Sequence, residues 1–291
     1  MSAWILGEGP PLIAAPGIAS NHRSLAPLFN RMSERYRTIQ IDYPGDLGDD
    51  GARLGRIDHD GIVDDIFELI EAANLGRAFL FGVSFGSTVV LRASAREPRR
   101  FPKIATLGGF ARRPFSVAEK LALAVGRRVS GNVARLPFYE KVMTYNHANH
   151  FPSIIADRWP IYLELNGSTP ISALSHRLEL LSRLDLRPDL AKIRSEALAI
   201  HGNEDRIVAR RHHDELVAGL PAGRGLLVPT AGHQPHFTHV ELLAQLLDQF
   251  YLPCVPEGCS RHDAASRGDA AAGSQAERSD GTCGLRVEET D

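Results

Sequence analysis

A chain of 291 residues that is 43% hydrophobic and 23% charged can bury a full-sized core, which excludes a fibrous or wholly disordered protein. Its formal net charge of -2 and its lack of any stretch interleaving aromatic with basic residues speak against nucleic acid as a partner. No run approaches the ~18 apolar residues of a membrane span, and the start, MSAWILGEGPPLIAAPG, sets Glu8 and two prolines where a signal peptide needs an apolar segment, so a cytoplasmic protein with no membrane partner is expected.

Taken in order, residues 10–15 (PPLIAA) and 36–42 (YRTIQID) read as short strands. Between them a helix is expected over 23–36, with Leu25, Leu28, Phe29 and Met32 three and four residues apart. Residues 58–74 place Ile62, Ile66, Leu69, Ile70 and Ala73 on one helical face and lead into the apolar run Ala78 to Phe81. That run stops at Gly82-Val83-Ser84-Phe85-Gly86, and a helical pattern resumes at once in STVVLRASAR. Strands are then expected over 103–107, 197–201 and 225–229, with helices over 210–220 and 240–250. Strands that are apolar throughout, alternating with amphipathic helices, indicate a mostly parallel sheet with helices on both faces, and such sheets bind ligands at the carboxyl ends of their strands.

The long interruption, residues 110–187, reads as several short helices inserted between a first core segment, 1–109, and a second, 188–253. Its Phe110, Phe115, Phe138, Tyr139, Phe151, Trp159 and Tyr162 either line a pocket or pack the insertion itself, and the second is the ordinary fate of such side chains. The histidines of YNHANH (145–150) have no carboxylate beside them and read as a solvated loop. Residues 254–291 hold few large apolar side chains and eight acids against four arginines, so this tail is expected to be disordered. All three cysteines, Cys254, Cys259 and Cys283, lie there; with His262 they make a poor zinc set, because the last is remote from the others.

Ser84 admits two readings. Gly82 and Gly86 can simply ease a strand-to-helix turn while Ser84 caps the helix. Alternatively the glycines clear space for a strained turn that exposes the hydroxyl as a nucleophile. A hydroxyl needs a base, and candidates follow two later strands: Asp205 in HGNEDRIV and His233 in PTAGHQPH. Glu204 competes with Asp205, and His236 and His239 compete with His233. Gly232 and the short loop favour His233.

These segments, GVSFG, HGNEDRIV and AGHQPH, resemble the α/β-hydrolase fold superfamily, in particular its small serine esterases, over most of residues 4–253. Asp42, Pro44 and Gly45 are similar to the family's Asp-x-Pro-Gly turn, but acidic residues follow Gly45 where the family has a different pattern. The resemblance implies an α/β-hydrolase fold in which the 110–187 insertion caps the site. It implies ester cleavage by Ser84, His233 and Asp205, an oxyanion hole made by the backbone N–H groups of Ile18 and Phe85, and no cofactor or metal. Pro16 stands where the family usually has histidine, and one or two strands normally precede GEGPPLIAAPG.

A small-molecule ester is the expected substrate, of unspecified acyl and alcohol parts. A cofactor-free perhydrolase of the same fold and a non-catalytic small-ligand receptor are the alternatives. Residues 110–145 carry seven cations and two anions. Similarity in size and cap arrangement to the pimeloyl-acyl carrier protein methyl ester esterases implies one use for them, the docking of an acidic carrier protein on Arg112, Arg113, Arg127 and Arg128. A solvated helix face is the ordinary reading.

Overall fold

A computed structural model describes residues 1–46, 53, 54, 56–117, 119, 123, 126, 129–147 and 156–252, together with the backbone of 286–289. The apolar runs form strands β1 (Ser2–Leu6), β2 (Pro11–Ala15), β3 (Arg37–Asp42), β4 (Phe79–Val83), β5 (Lys103–Leu107), β6 (Glu196–Gly202) and β7 (Gly223–Val228), with a short β8 (Arg286–Glu289). The sheet order is β7-β6-β5-β4-β2-β3-β1-β8, and among the described strands only the β1–β3 pair is antiparallel. Strands β2, β4 and β5 are buried along their whole length, as continuous apolar runs in a doubly covered parallel sheet should be.

Alternate residues serve opposite faces. Leu12, Ala14, Phe79 and Phe81 pack with α1 (His22–Met32) on one side, whereas Ile13, Ala15 and Leu80 join α2 (His59–Ala72) and α3 (Phe85–Arg96) on the other. Between β5 and β6 the described residues form a 3-10 turn (Val133–Arg135), α4 (Tyr139–His147), α5 (Arg158–Gly167), α6 (Ile171–Arg183) and α7 (Arg187–Leu190). The second core segment adds α8 (Arg210–Gly219), α9 (Pro235–Thr238) and α10 (Val240–Tyr251), the last packing beside α1. The sheet with helices on both faces is the fold class expected from the sequence.

Two local readings change. SAWIL forms β1, a strand the pattern analysis passed over. It alternates half-buried with buried residues, Ala3 and Ile5 facing the core, but five residues ending at a Gly-Glu-Gly-Pro turn are too short to announce a period. The helix expected to end at residue 36 ends at Met32, where Ser33 closes it with an N–H bond to Phe29. In the tail, Arg286–Glu289 pair in parallel with β1, while the Cys254, Cys259, His262 and Cys283 set lies outside the described residues. Among the described residues no helix is long and apolar enough to cross a membrane.

Candidate functional site

The chain leaves β4 through a turn that glycine alone permits. A Cβ at Gly82 would collide with the Gly86 carbonyl, and one at Gly86 with the Ala15 carbonyl. Ser84 between them has φ 52 and ψ -110, a conformation that costs a non-glycine residue about 1–3 kcal/mol. It is held there by its N–H donating to Leu107 at 2.8 Å and its carbonyl accepting from Ser87 at 3.0 Å. Although Ser84 sits at the N-cap of α3, its side chain makes no capping bond, so the capping reading does not account for this serine.

The acid and histidine arrive from the next strands. Gly108 N–H donates to Ile200, continuing the ladder between β5 and β6. The loops after β6 and β7 are laced together by Asn203 N–H to Val228 and Glu204 N–H to Ala231. This brings His233 Nδ1 to 2.6 Å from Asp205 Oδ2, while Asp205 Oδ1 accepts from the N–H groups of Ile207 and Val208 at 2.8 and 2.9 Å. Burial by itself would raise the Asp205 carboxyl; the charge and hydrogen bond of His233 and the two backbone donors outweigh it and hold its pKa below the ordinary value. An ionised carboxylate only accepts, so Nδ1 carries a proton, and Nε2 is the ring atom turned away from the acid.

The competing residues lie elsewhere. Glu204 is exposed. His236 is buried, and that burial, followed by the nearby His233 charge, lowers its pKa to about 3, a poor setting for a base. His239 contacts Thr238 Oγ1 at 2.8 Å. Gly108, which the sequence analysis did not single out, fills the space between the groups: a Cβ there would stand 2.7 Å from His233 Cε1, 2.8 Å from Nδ1 and 3.4 Å from Asp205 Oδ2. The only sequence signal for it is a glycine pair directly after β5.

Phe85 opens α3, so its N–H is among the donors that a helix start leaves without an intrahelical acceptor. The loop carrying Ile18 runs alongside, since a Cβ on Gly17 would lie 3.9 Å from Ser84 Cβ and 3.5 Å from Ser20 Oγ. Both emerge where strand order reverses about β2 and β4, the place where open parallel sheets bind ligands. From the insertion, α5 reaches down with Asn166 to Ser20 at 3.5 Å. One turn earlier it presents Tyr162, whose ring is 5.5 Å from His147, itself 6.5 Å from His233.

Of the other aromatics named from sequence, Phe110 belongs to the main core, Phe138 is 71% exposed and Phe151 lies outside the described residues. Arg112 pairs with Asp185 and Arg113 with Glu119; Arg127 and Arg128 lie outside the described residues. No group of three metal-ligating side chains occurs among the described residues. His147 ends α4, and His150 lies outside them.

Comparison with known proteins agrees with this architecture. Residues 10–240 match the model of a family described as alpha/beta hydrolase fold. A pimeloyl-acyl-carrier-protein methyl ester esterase of Xanthomonas campestris pv. campestris is 27% identical over 257 residues, which cover 84% of this chain and 96% of that one. Among solved structures, the enol-lactonase from Burkholderia xenovorans LB400 superposes with a TM-score of 0.74 at 21% identity, covering 85% of this chain and 95% of its own. A thermophilic esterase from Thermogutta terrifontis gives 0.73 at 20%, covering 85% and 91%.

Proposed function

Because this chain belongs to the alpha/beta hydrolase fold family, we propose that it is a serine hydrolase of carboxylesterase type, working through Ser84, His233 and Asp205 on a small ester. Hydrolysis of an ester is the activity that the family and its esterase relative carry over to this chain. The observation that carries the residue assignment is the 2.6 Å bond from His233 to a carboxylate with depressed pKa, at the sheet edge where a strained, non-capping Ser84 emerges.

In this reading His233 Nε2 takes the Ser84 proton as the hydroxyl oxygen attacks the ester carbonyl. Asp205 keeps the proton on Nδ1 and stabilises the imidazolium that forms. Negative charge developing on the carbonyl oxygen is met by the N–H groups of Ile18 and Phe85, fixed donors that need no reorganisation. His233 then protonates the departing alcohol, and a water activated by the same imidazole releases the acid from Ser84. The helical insertion serves as the cap, bringing His147 to 6.5 Å from the His233 ring and Asn166 to 3.5 Å from Ser20.

We favour a free ester over a carrier-bound one: of the described arginines that could dock a carrier, Arg113 is bonded to Glu119 and Arg112 lies 3.9 Å from Asp185. The test is covalent and kinetic. A fluorophosphonate should label Ser84, and Ser84→Ala should abolish both labelling and hydrolysis of p-nitrophenyl butyrate. Full turnover in that variant would sink the assignment.

A further inference from the structure

Asp46, the acidic residue directly after Gly45, and the backbone of Pro16 both belong to one buried cluster. Arg177, on α6 of the insertion, is 1% exposed; its Nη1 donates to the Ile18 carbonyl at 2.7 Å. Its Nη2 lies 2.5 Å from Asp46 Oδ2, an ion pair with both side chains almost fully buried. The guanidinium also sits 4.9 Å over the Tyr43 ring, and the Tyr43 hydroxyl donates to the Pro16 carbonyl at 3.0 Å. The same Tyr43 ring meets the Phe85 ring edge-on at 5.2 Å.

This arrangement has a definite consequence for one peptide unit. The Pro16 carbonyl belongs to the peptide before Gly17, and the Ile18 carbonyl to the peptide after Ile18. The unit between them is Gly17–Ile18, whose N–H is the donor assigned to the oxyanion. Glycine gives that unit wide rotational freedom. A buried donor on each side removes it. We propose that Arg177 is a positioning residue for the oxyanion hole: held by Asp46, it clamps the Ile18 carbonyl from the insertion and so fixes the direction of the Ile18 N–H.

A buried ion pair is weak evidence for a stabilising role. Burial is the largest influence on Asp46 and, against the pull of Arg177, raises its pKa to about 6; such pairs are often no more stabilising than apolar side chains of like volume. Orientation is what an apolar replacement cannot supply. A donor displaced from the oxyanion loses attraction that exists only in the transition state, so the loss falls on kcat rather than KM.

The inference rests on the serine hydrolase reading, and its test separates the two. Arg177→Met and the double variant Asp46→Leu/Arg177→Met are compared with the unaltered protein; the double variant leaves no buried charge alone and carries the test if the single one fails to fold. Each should lower kcat for p-nitrophenyl butyrate by about 10- to 100-fold, less than outright loss of a donor, with KM nearly unchanged. The double variant should keep the melting temperature. Affinity for an alkyl trifluoromethyl ketone, which becomes an oxyanion on the serine, should fall by the same factor as kcat/KM, while affinity for the matching secondary alcohol stays constant. Arg177→Lys, able to reach one acceptor but not both, should lie between. A double variant with unaltered kcat and ketone affinity, or a change confined to KM, overturns the inference even where the fluorophosphonate still labels Ser84. Absence of labelling in the unaltered protein overturns the underlying reading instead.

Discussion

Gly108 and His233 touch: the α-carbon of the glycine faces the imidazole so closely that a methyl group there would stand 2.7 Å from Cε1. With φ +56, Gly108 also holds a backbone conformation that side chains rarely adopt. Gly108→Ala should therefore push His233 away from its working position. We expect turnover to fall roughly 100-fold, the order associated with misplacement of a reacting group by about 1 Å. Steady-state kinetics beside a thermal melt check this; unaltered kcat in a folded variant would show that the ring has room to yield.

The two carboxylates of the acid loop should differ sharply. Asp205→Asn removes the acceptor that keeps the proton on Nδ1 and should cost about 10⁴-fold in kcat. Glu204→Gln, at an exposed position, should change kcat less than about threefold, within the usual reach of surface substitutions. A reversed ranking moves the acid by one residue.

Two buried imidazoles predict an acid-labile fold. Burial lowers His59 from 6.5 to about 4 and His236 from 6.5 to about 3. Both folded pKa values are depressed, so each contributes stability that is present above the unfolded value near 6.5 and is lost as pH falls toward the folded one, because the unfolded chain takes up the proton first. In the middle of that window, about pH 5.5 to 4.5, each should add roughly 1 kcal/mol per pH unit to the fall in stability, below the ceiling of about 1.4. His59→Gln and His236→Gln should each flatten the slope of unfolding free energy against pH, whatever they do to its level. Parallel slopes in the unaltered and variant proteins would place these imidazoles in contact with water.

Charge at the insertion gives a salt prediction. A free ester such as p-nitrophenyl butyrate carries no charge, so its kcat/KM should not change from low salt to about 0.5 M, where screening shortens electrostatic reach to a few ångströms. A carrier-linked ester should show no advantage over its free methyl ester at low salt. An advantage that fades as salt is raised would instead establish docking of an acidic carrier protein.

The strand-helix alternation and the GVSFG turn were legible in the sequence because each is set by neighbours in the chain. An apolar run, a helical period and two glycines four residues apart dictate local backbone whatever lies beyond them. That the loops carrying Ser84, Asp205 and His233 share one edge was legible for a related reason, since in a parallel sheet every loop that follows a strand ends at the same edge. β1 was not, because five residues carry too little periodicity and become a strand only by pairing with β3.

Tertiary structure alone decided between adjacent candidates. Asp205 and Glu204 differ by one residue in sequence, yet one is bonded to His233 while the other faces solvent, a matter of which way a loop turns. The same holds for His233 against His236: both are buried, and the 2.6 Å bond to Asp205 belongs to His233. It holds most for Arg177, 159 residues from the Ile18 carbonyl that it grips and paired with Asp46 across the insertion. No local pattern specifies a contact between side chains so far apart. Their meeting follows from how α6 packs over the sheet edge, and that packing depends on the whole core.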